Sequence, residues 1–519
     1  MKGLIENRFG LLALVLVALA ALYGVAYASR PAPVVHKPPQ AVRAPVGSVT
    51  TVCPAPGGGR VSVVTPPGAQ TPGAATVAEI QPPTAKPEAQ PTAKPEAQPT
   101  GKPDGKKDDK SGKAGGSEVQ SDGTTGKPVA TVRQPGVLWQ QEITPGSEPL
   151  AIAATGSMAA GLETAQTARE KSGSQRGLAA VRCVEPGANA WFVGPGPAAA
   201  DVTLYVTNVD AAPADVEIMI YSGEGPVLSD RGNGLVLQPG QHRAVKLRDL
   251  APSPLVMAVE VSTASGRVAA AVKAVLGEGK GVDWLPIAAE PSTRVVVPGI
   301  PGTAGLRELY VTAPGEQDTV VQVKAVLKDG SYALKNKESV DVPAGSTATL
   351  DMSTGIGGQP AALVLSSDVP IVAGLKITGT GTSQDVAFTA GAPSIDLGSV
   401  VADARASRKQ TSGLVLSAPF AAATVKIQFL PKEGPVPAPF DVQIPAARTK
   451  EITLKAPPGS KAGFSVAVQP QPGSGPVYGG RVLTEATPQG LFITTQPLAL
   501  ARTWALVPPT KDSPSAVLP

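Results

Sequence analysis

The sequence predicts a mainly β protein. It is expected to be built of tandem immunoglobulin-like antiparallel β-sandwich repeats, behind an N-terminal hydrophobic helix and disordered Pro-rich segments. Three observations predict this. The 519 residues include 57 Gly and 55 Pro, about a fifth of the chain, and both residues are poor in helix interiors. Short alternating apolar runs are punctuated by turn residues. A set of sequence tags recurs at a spacing of about 105 residues.

Composition excludes several classes. The chain is 42% hydrophobic, enough to bury sizeable cores, yet only 4% aromatic and 17% charged. That mixture excludes a coiled coil and a wholly disordered chain. The 45 Lys+Arg against 41 Asp+Glu give a net charge of +4. No basic cluster interleaves with aromatics, so no nucleic-acid partner is expected. With 2 His and 2 Cys, a zinc or iron–sulfur centre lacks ligands, and no cofactor or metal is expected.

Residues 1–28 come first. Lys2 and Arg8 flank an apolar run at 9–28. The run reads either as a secretory signal, cleaved after Ala26-Tyr27-Ala28, or as a transmembrane anchor. Both place the bulk of the chain outside the cytoplasmic membrane, secreted if cleaved and membrane-held through the helix if not. Export gives meaning to Cys53 and Cys183, the only cysteines. In an oxidising compartment they are expected to form a disulfide rather than remain two free thiols. It would stabilise by up to about 5 kcal/mol through the loop it closes. A Cys-x-x-Cys redox motif is absent.

Residues 29–45 are Pro-rich and read as a tether. Residues 46–182 read as a degenerate first β unit, interrupted by a spacer at 81–128. There PTAKPEAQ starts at Pro83 and again at Pro91, and bulky apolar residues are nearly absent. Such a segment cannot bury enough apolar surface to offset its ordering entropy. Within the first unit a helix is expected only at 161–171, GLETAQTAREK.

Three clearer repeats follow at 183–292, 293–396 and 397–505, and then a disordered tail at 506–519. Leu204-Tyr205-Val206-Thr207 recurs as Leu309-Tyr310-Val311-Thr312 and as Leu414-Val415-Leu416-Ser417. A turn at Pro239-Gly240 recurs at Pro343-Ala344-Gly345 and Pro445-Ala446, each followed by an alternating run. In the second copy, strands are expected at 191–194, 201–208, 215–221, 234–238, 243–248, 255–263 and 266–276. About seven short strands in ~100 residues suit an immunoglobulin-like sandwich. Another sandwich topology or one shared barrel remains open, because the Cys…Trp…Cys core of antibody domains is missing. Ala159-Ala160-Gly161-Leu162 looks like Val372-Ala373-Gly374-Leu375, which links the first unit to the rest.

Chemistry is sparsely signalled. Gly-x-Ser-x-Gly, Ser-x-x-Lys and His-Glu-x-x-His motifs are absent, so no enzyme is expected. His36 lies in the tether, and His242 reads as a surface residue at a turn. Asp201, Asp210 and Asp215 surround one expected loop and are candidates for calcium, with ordinary turn chemistry as the favoured reading. Glu163 and Glu170 would share a solvated helix face. Trp191 is expected in a core. Trp284, in the loop-like GVDWLP at 281–286, is the candidate ligand contact, by stacking on a glycan. An enzyme centred on Thr155, Ser157, Glu163 and Arg169 is the least favoured reading.

Several stretches carry a resemblance. They are Val52-Cys53-Pro54-Ala55-Pro56, the run 154–162 (ATGSMAAGL) and Arg176-Gly177-Leu178. After them come Cys183 with Trp191-Phe192-Val193-Gly194, Asp283-Trp284-Leu285-Pro286, and Val297-Pro298-Gly299. In this order the chain resembles an uncharacterised family of actinobacterial exported proteins, a domain of unknown function, over most of 46–500. The family's pattern includes both cysteines, which favours their pairing, and it implies no activity or catalytic residue. The spacer departs from that pattern. The function expected is a non-enzymatic, exported cell-envelope scaffold, with an envelope protein or cell-wall polymer as partner. An envelope glycan-binding accessory module is the alternative.

Overall fold

The computed structural model describes residues 8–28, 42–55, 59–68, 72–82, 125–144, 148–458, 460 and 463–507. The expectations for His36, for 29–41, for 83–124 and for 508–519 lie outside the described residues.

The chain forms two compact units, residues 1–44 with 505–519, and residues 45–504. In the first, helix α1 (Arg8–Ala28) is followed by strand β1 (Val42–Pro45), which pairs with the last strand, Trp504–Val507. The described side chains of α1, Leu12 to Val25 and Tyr27, are all exposed. Among the described residues no helix is long and apolar enough to cross a membrane. The transmembrane reading of 1–28 is therefore not carried by them. Two expected boundaries are corrected. The tether ends before Val42, and residues 506–507 belong to a strand rather than to the tail. The two strands pair with each other.

The second unit holds four modules among its described residues. The first has β2 (Ser48–Cys53), β3 (Gly59–Val64), β4 (Ala75–Ile80) and β5 (Thr125–Val132). It continues with β6 (Trp139–Ile143), β7 (Leu150–Thr155), β8 (Glu163–Glu170) and β9 (Gly177–Arg182). Its sheets run β2-β7-β4-β5 and β6-β3-β8-β9.

The second module has β10 (Asn189–Pro195), β11 (Asp201–Thr207), β12 (Ala214–Ser222), β13 (Gly225–Val227) and β14 (Leu235–Leu237). It ends with β15 (His242–Lys246), β16 (Val256–Ser265), β17 (Ala269–Val275) and β18 (Val282–Leu285). Its sheets run β10-β16-β12-β13, with β14 also on β12, and β15-β11-β17-β18. Every strand expected here is present. β13 and β18 are additional.

The third has β19 (Ser292–Ile300), β20 (Arg307–Ala313), β21 (Thr319–Val326), β22 (Ser331–Tyr332) and β23 (Ser339–Val342). Then come β24 (Ser346–Asp351), β25 (Ala361–Thr378) and β26 (Val386–Ala390). Strand β25 serves both sheets. Ala362 to Ser366 pair with β21, and Val372 to Ile377 pair with β20.

The fourth has β27 (Ser399–Ala404), β28 (Gln410–Ala418), β29 (Ala423–Pro431) and β30 (Phe440–Ile444). It closes with β31 (Arg448–Leu454), β32 (Phe464–Pro470), β33 (Tyr478–Thr487) and β34 (Gly490–Pro497). Its sheets run β27-β32-β29-β30 and β31-β28-β33-β34.

One strand order serves all four modules. In the first and fourth modules the first, sixth, third and fourth strands form one sheet and the fifth, second, seventh and eighth the other; the second module keeps this order with β14 added on β12, and in the third β25 fills both the sixth and seventh places, with β22 and β23 both on β21. Antibody-type domains keep their first two strands in one sheet, whereas here those strands lie in opposite sheets. The recurring tags mark the second strands β11, β20 and β28, each central in its sheet.

Alternation explains the layering. Strand β21 buries every second residue along Thr319, Val321, Val323 and Ala325, the period that places one face inward. In the second module Val202, Leu204 and Val206 of β11 meet Ile218 and Ile220 of β12 and Val259 and Val261 of β16. Each such side chain contributes roughly 1.5–3 kcal/mol by leaving water.

Three further expectations are corrected. Residues 161–171 contain strand β8, not a helix. Thr164 through Thr167 are buried and β8 pairs with both β3 and β9, so tertiary context overrides the helix propensity of Glu, Ala and Gln. The spacer ends earlier than 128, because β5 starts at Thr125 and pairs with β4. The run 159–162 precedes β8, whereas 372–375 lies inside β25, so the two are not equivalent positions.

Candidate functional site at the four-module junction

Cys53 and Cys183 form a disulfide across 130 residues. It ties the end of β2 to the residue after β9, the first and last strands of one module.

Trp284 requires a correction. It is 4% exposed and sits in β18, which pairs with β17. Its ring lies 5.5 Å from that of Tyr205, and the Lys273 ammonium is 5.6 Å from its centroid. Ala179 and Val181 of the first module complete the cluster. Gly281 and Pro286 gave the segment its loop signature, but the four residues between them pair and bury. A buried ring cannot stack on a glycan, so that reading loses its residue. Trp191 is buried as expected, stacked on Tyr221 beside Tyr310 and Val372 of the third module.

The other residues singled out are dispersed. His242 starts β15, with Nε2 3.2 Å from Glu148 Oε2. Asp210 pairs with Arg267 at 2.8 Å. Among the described residues no three His, Cys, Asp or Glu side chains are placed to hold a metal ion. Ser157 is buried in the turn Gly156–Met158. Glu163 meets Arg182 Nε at 2.7 Å. Arg169 forms an ion pair with Glu485 of the fourth module. Glu170 is exposed. Thr155, Ser157, Glu163 and Arg169 do not converge on one centre.

What sequence reasoning missed is the place where the modules meet. The last strands of the four modules close a circuit. β9 touches β18 and β34, and β26 touches the same two. Asp385, just before β26, sits among them with no exposed surface. Its Oδ2 accepts the N–H of Leu178 in β9 and of Ile493 in β34, both at 3.0 Å. Its Oδ1 accepts the N–H of Val282 in β18 at 3.3 Å. One carboxylate of the third module thus bonds the backbone of each of the other three.

Neighbouring groups extend this. Asp283 Oδ1, in β18, accepts the N–H of Ala180 in β9 at 3.0 Å. Arg182 Nη1 donates to the Pro497 carbonyl at 3.0 Å, linking the first and fourth modules. Arg176 lies over the Phe492 ring, 4.5 Å from its centroid. Glycine makes the approach feasible. A Cβ at Gly177 or at Gly281 (φ +98) would collide with Asp385 Oδ1.

Electrostatics follow from burial. Desolvation pushes Asp385 up to about 7, opposed by the N–H groups of Ile493, Leu178, Val386 and Val282. Desolvation pushes Asp283 well above the usual carboxylate range. Burial lowers the fully enclosed Arg481 guanidinium, with Asp403 and Asp283 opposing. Burial also acts to raise Asp403, but Arg405 and Arg481 hold it below its ordinary value. Asp283, Asp385, Asp403 and Arg481 are all buried.

Residues 139–455 match a family of unknown function, DUF5719, which is more than half of the chain. The match runs from β6 to the end of β31 and includes Leu178, Val282, Asp283 and Asp385. No curated protein matches the chain.

Proposed function

On the footing that the chain belongs to this family of unknown function, we propose that it is a non-enzymatic scaffold of the cell envelope. Its four sandwiches act as one rigid, extracytoplasmic platform for an envelope protein or a cell-wall polymer. The observation that carries the reading is Asp385, whose carboxylate bonds all three other modules. A fastening of this kind suits a protein that holds surfaces in fixed relation. Modules that bind independently are joined by linkers, with domain motion as the default.

The apolar run at 9–28 and the Cys53–Cys183 disulfide support export, because disulfides persist in oxidising compartments. Two of the residues an enzyme on the first module would need, Glu163 and Arg169, are paired with Arg182 and Glu485.

The test is cross-linking and pull-down from a membrane-plus-wall fraction, together with the N-terminal residue of the mature protein. Recovery with an envelope partner is expected. Recovery only as free protein in the medium, without partner, would count against it. Ser29 at the N-terminus would mark cleavage.

A further inference from the structure

The seam between the first and fourth modules carries a polar, basic cleft. A cavity of about 340 Å³ is lined by Arg60, Gln140 and Glu142 of the first module, and by Arg405, Lys432 and Ser460 of the fourth. A second hollow adjoins it, lined by Arg169, Arg408, Lys409 and Glu485. Both share Ser407 and Gln410, so they form one continuous surface. The first is within the size range of small-molecule sites.

Charge on this surface is unbalanced. Arg60 is held by Glu142 at 2.6 Å, Arg169 by Glu485, and Arg405 by the buried Asp403 at 3.3 Å. Arg408, Lys409 and Lys432 make no ion pair among the described residues. Arg408 and Lys409 are exposed. Glu433 follows Lys432 in the chain but does not line the cleft. Three cations thus face a hollow whose own carboxylates are already engaged.

A second observation is independent of charge. Gln140 donates through Nε2 to Ser62 Oγ at 3.0 Å and to Asp403 Oδ1 at 3.2 Å. Its Oε1 is buried with no hydrogen-bond partner. A buried acceptor left unmade is costly, and because Gln140 lines the cavity, a small turn of its amide would present Oε1 to a donor from the occupant. An anion without hydroxyls supplies none, and a neutral sugar leaves the cations unmatched.

We propose that this seam binds an acidic saccharide, a sugar bearing phosphate or carboxylate. The anionic group lies against Arg408, Lys409 and Lys432 in charge-assisted hydrogen bonds, and a hydroxyl donates to Gln140 Oε1. The proposal goes beyond the scaffold reading and does not depend on where the protein resides.

The test is calorimetric titration of the full chain with mannose 6-phosphate, trigalacturonate, inorganic phosphate and maltotriose. At least one acidic sugar is expected to bind at least ten-fold more tightly than inorganic phosphate, and maltotriose is expected not to bind. The two acidic sugars separate the phosphate source from the carboxylate source. The combined Arg408→Ala, Lys409→Ala, Lys432→Ala variant is expected to lose at least ten-fold in affinity with its unfolding temperature unchanged. Gln140→Leu is expected to weaken the acidic sugar. Absence of binding by both acidic sugars, equal binding of inorganic phosphate, or indifference to the triple variant would each overturn the assignment. Failure here would leave an envelope partner recovered by pull-down untouched.

Discussion

The carboxylate of Asp385 accepts the backbone N–H of Leu178 at 3.0 Å, across 207 residues of sequence. The first and third modules are thereby bonded directly, and the same oxygen also holds Ile493 of the fourth.

Removing that carboxylate leaves three buried N–H donors without an acceptor. Each costs about 1–3 kcal/mol. Asp385→Ala is expected to lower unfolding free energy by about 3 kcal/mol or more. Asp385→Asn must turn its NH2 toward one set of donors and is expected to destabilise too, by less. Denaturant unfolding measures both.

The glycines facing Asp385 have a matching control. Gly281→Ala introduces a Cβ against Asp385 Oδ1 at φ +98, whereas Gly173 (φ +78) has open space around it. Gly173→Ala is expected to cost only the backbone penalty of about 1 kcal/mol. Gly281→Ala is expected to cost clearly more. Equal losses in thermal unfolding would deny the close approach.

Asp385 also sets a pH dependence. Its folded value of about 7 lies above the ordinary 3.8, so between these values the folded state holds a proton that the unfolded state has lost. Stability from this group is full below the ordinary value and is lost as pH rises through about 7. Asp283 beside it, raised by burial, acts in the same sense. Unfolding free energy is expected to fall more steeply in the wild type than in Asp385→Asn as pH rises from the ordinary 3.8 to about 7.

Trp284 should behave as a core residue. Trp284→Ala is expected to destabilise by about 3–5 kcal/mol, as for other buried aromatics. It removes contacts with Tyr205 and with Ala179 of the first module. A melt unchanged by the substitution would return Trp284 to the surface.

Reduction of Cys53–Cys183 is expected to lower stability by about 2–5 kcal/mol, acting first on the module it closes. Hydrogen exchange with and without reductant reads this out, with β2 and β9 losing protection.

Local pattern carried much of the fold. Alternation along β12 and β21, and the tags in β11, β20 and β28, locate strands and their repeat because both depend on residues close in sequence. The junction was not legible. Asp385 stands in no recognisable motif, and nothing nearby announces that its carboxylate meets backbone from β9, β18 and β34. Trp284 misled for the same reason, since its partners Ala179 and Tyr205 lie far upstream. β8 was misread as helix because Glu, Ala and Gln favour helices until β3 and β9 pair with them.

Amide exchange at three positions tests the rigid junction most directly. The N–H groups of Leu178, Val282 and Ile493 lie in three modules and share one acceptor side chain. They are expected to exchange only through large-scale unfolding in the wild type, and to lose protection together in Asp385→Ala. Rapid exchange in the wild type, or loss at one site with the other two unchanged, would contradict the account.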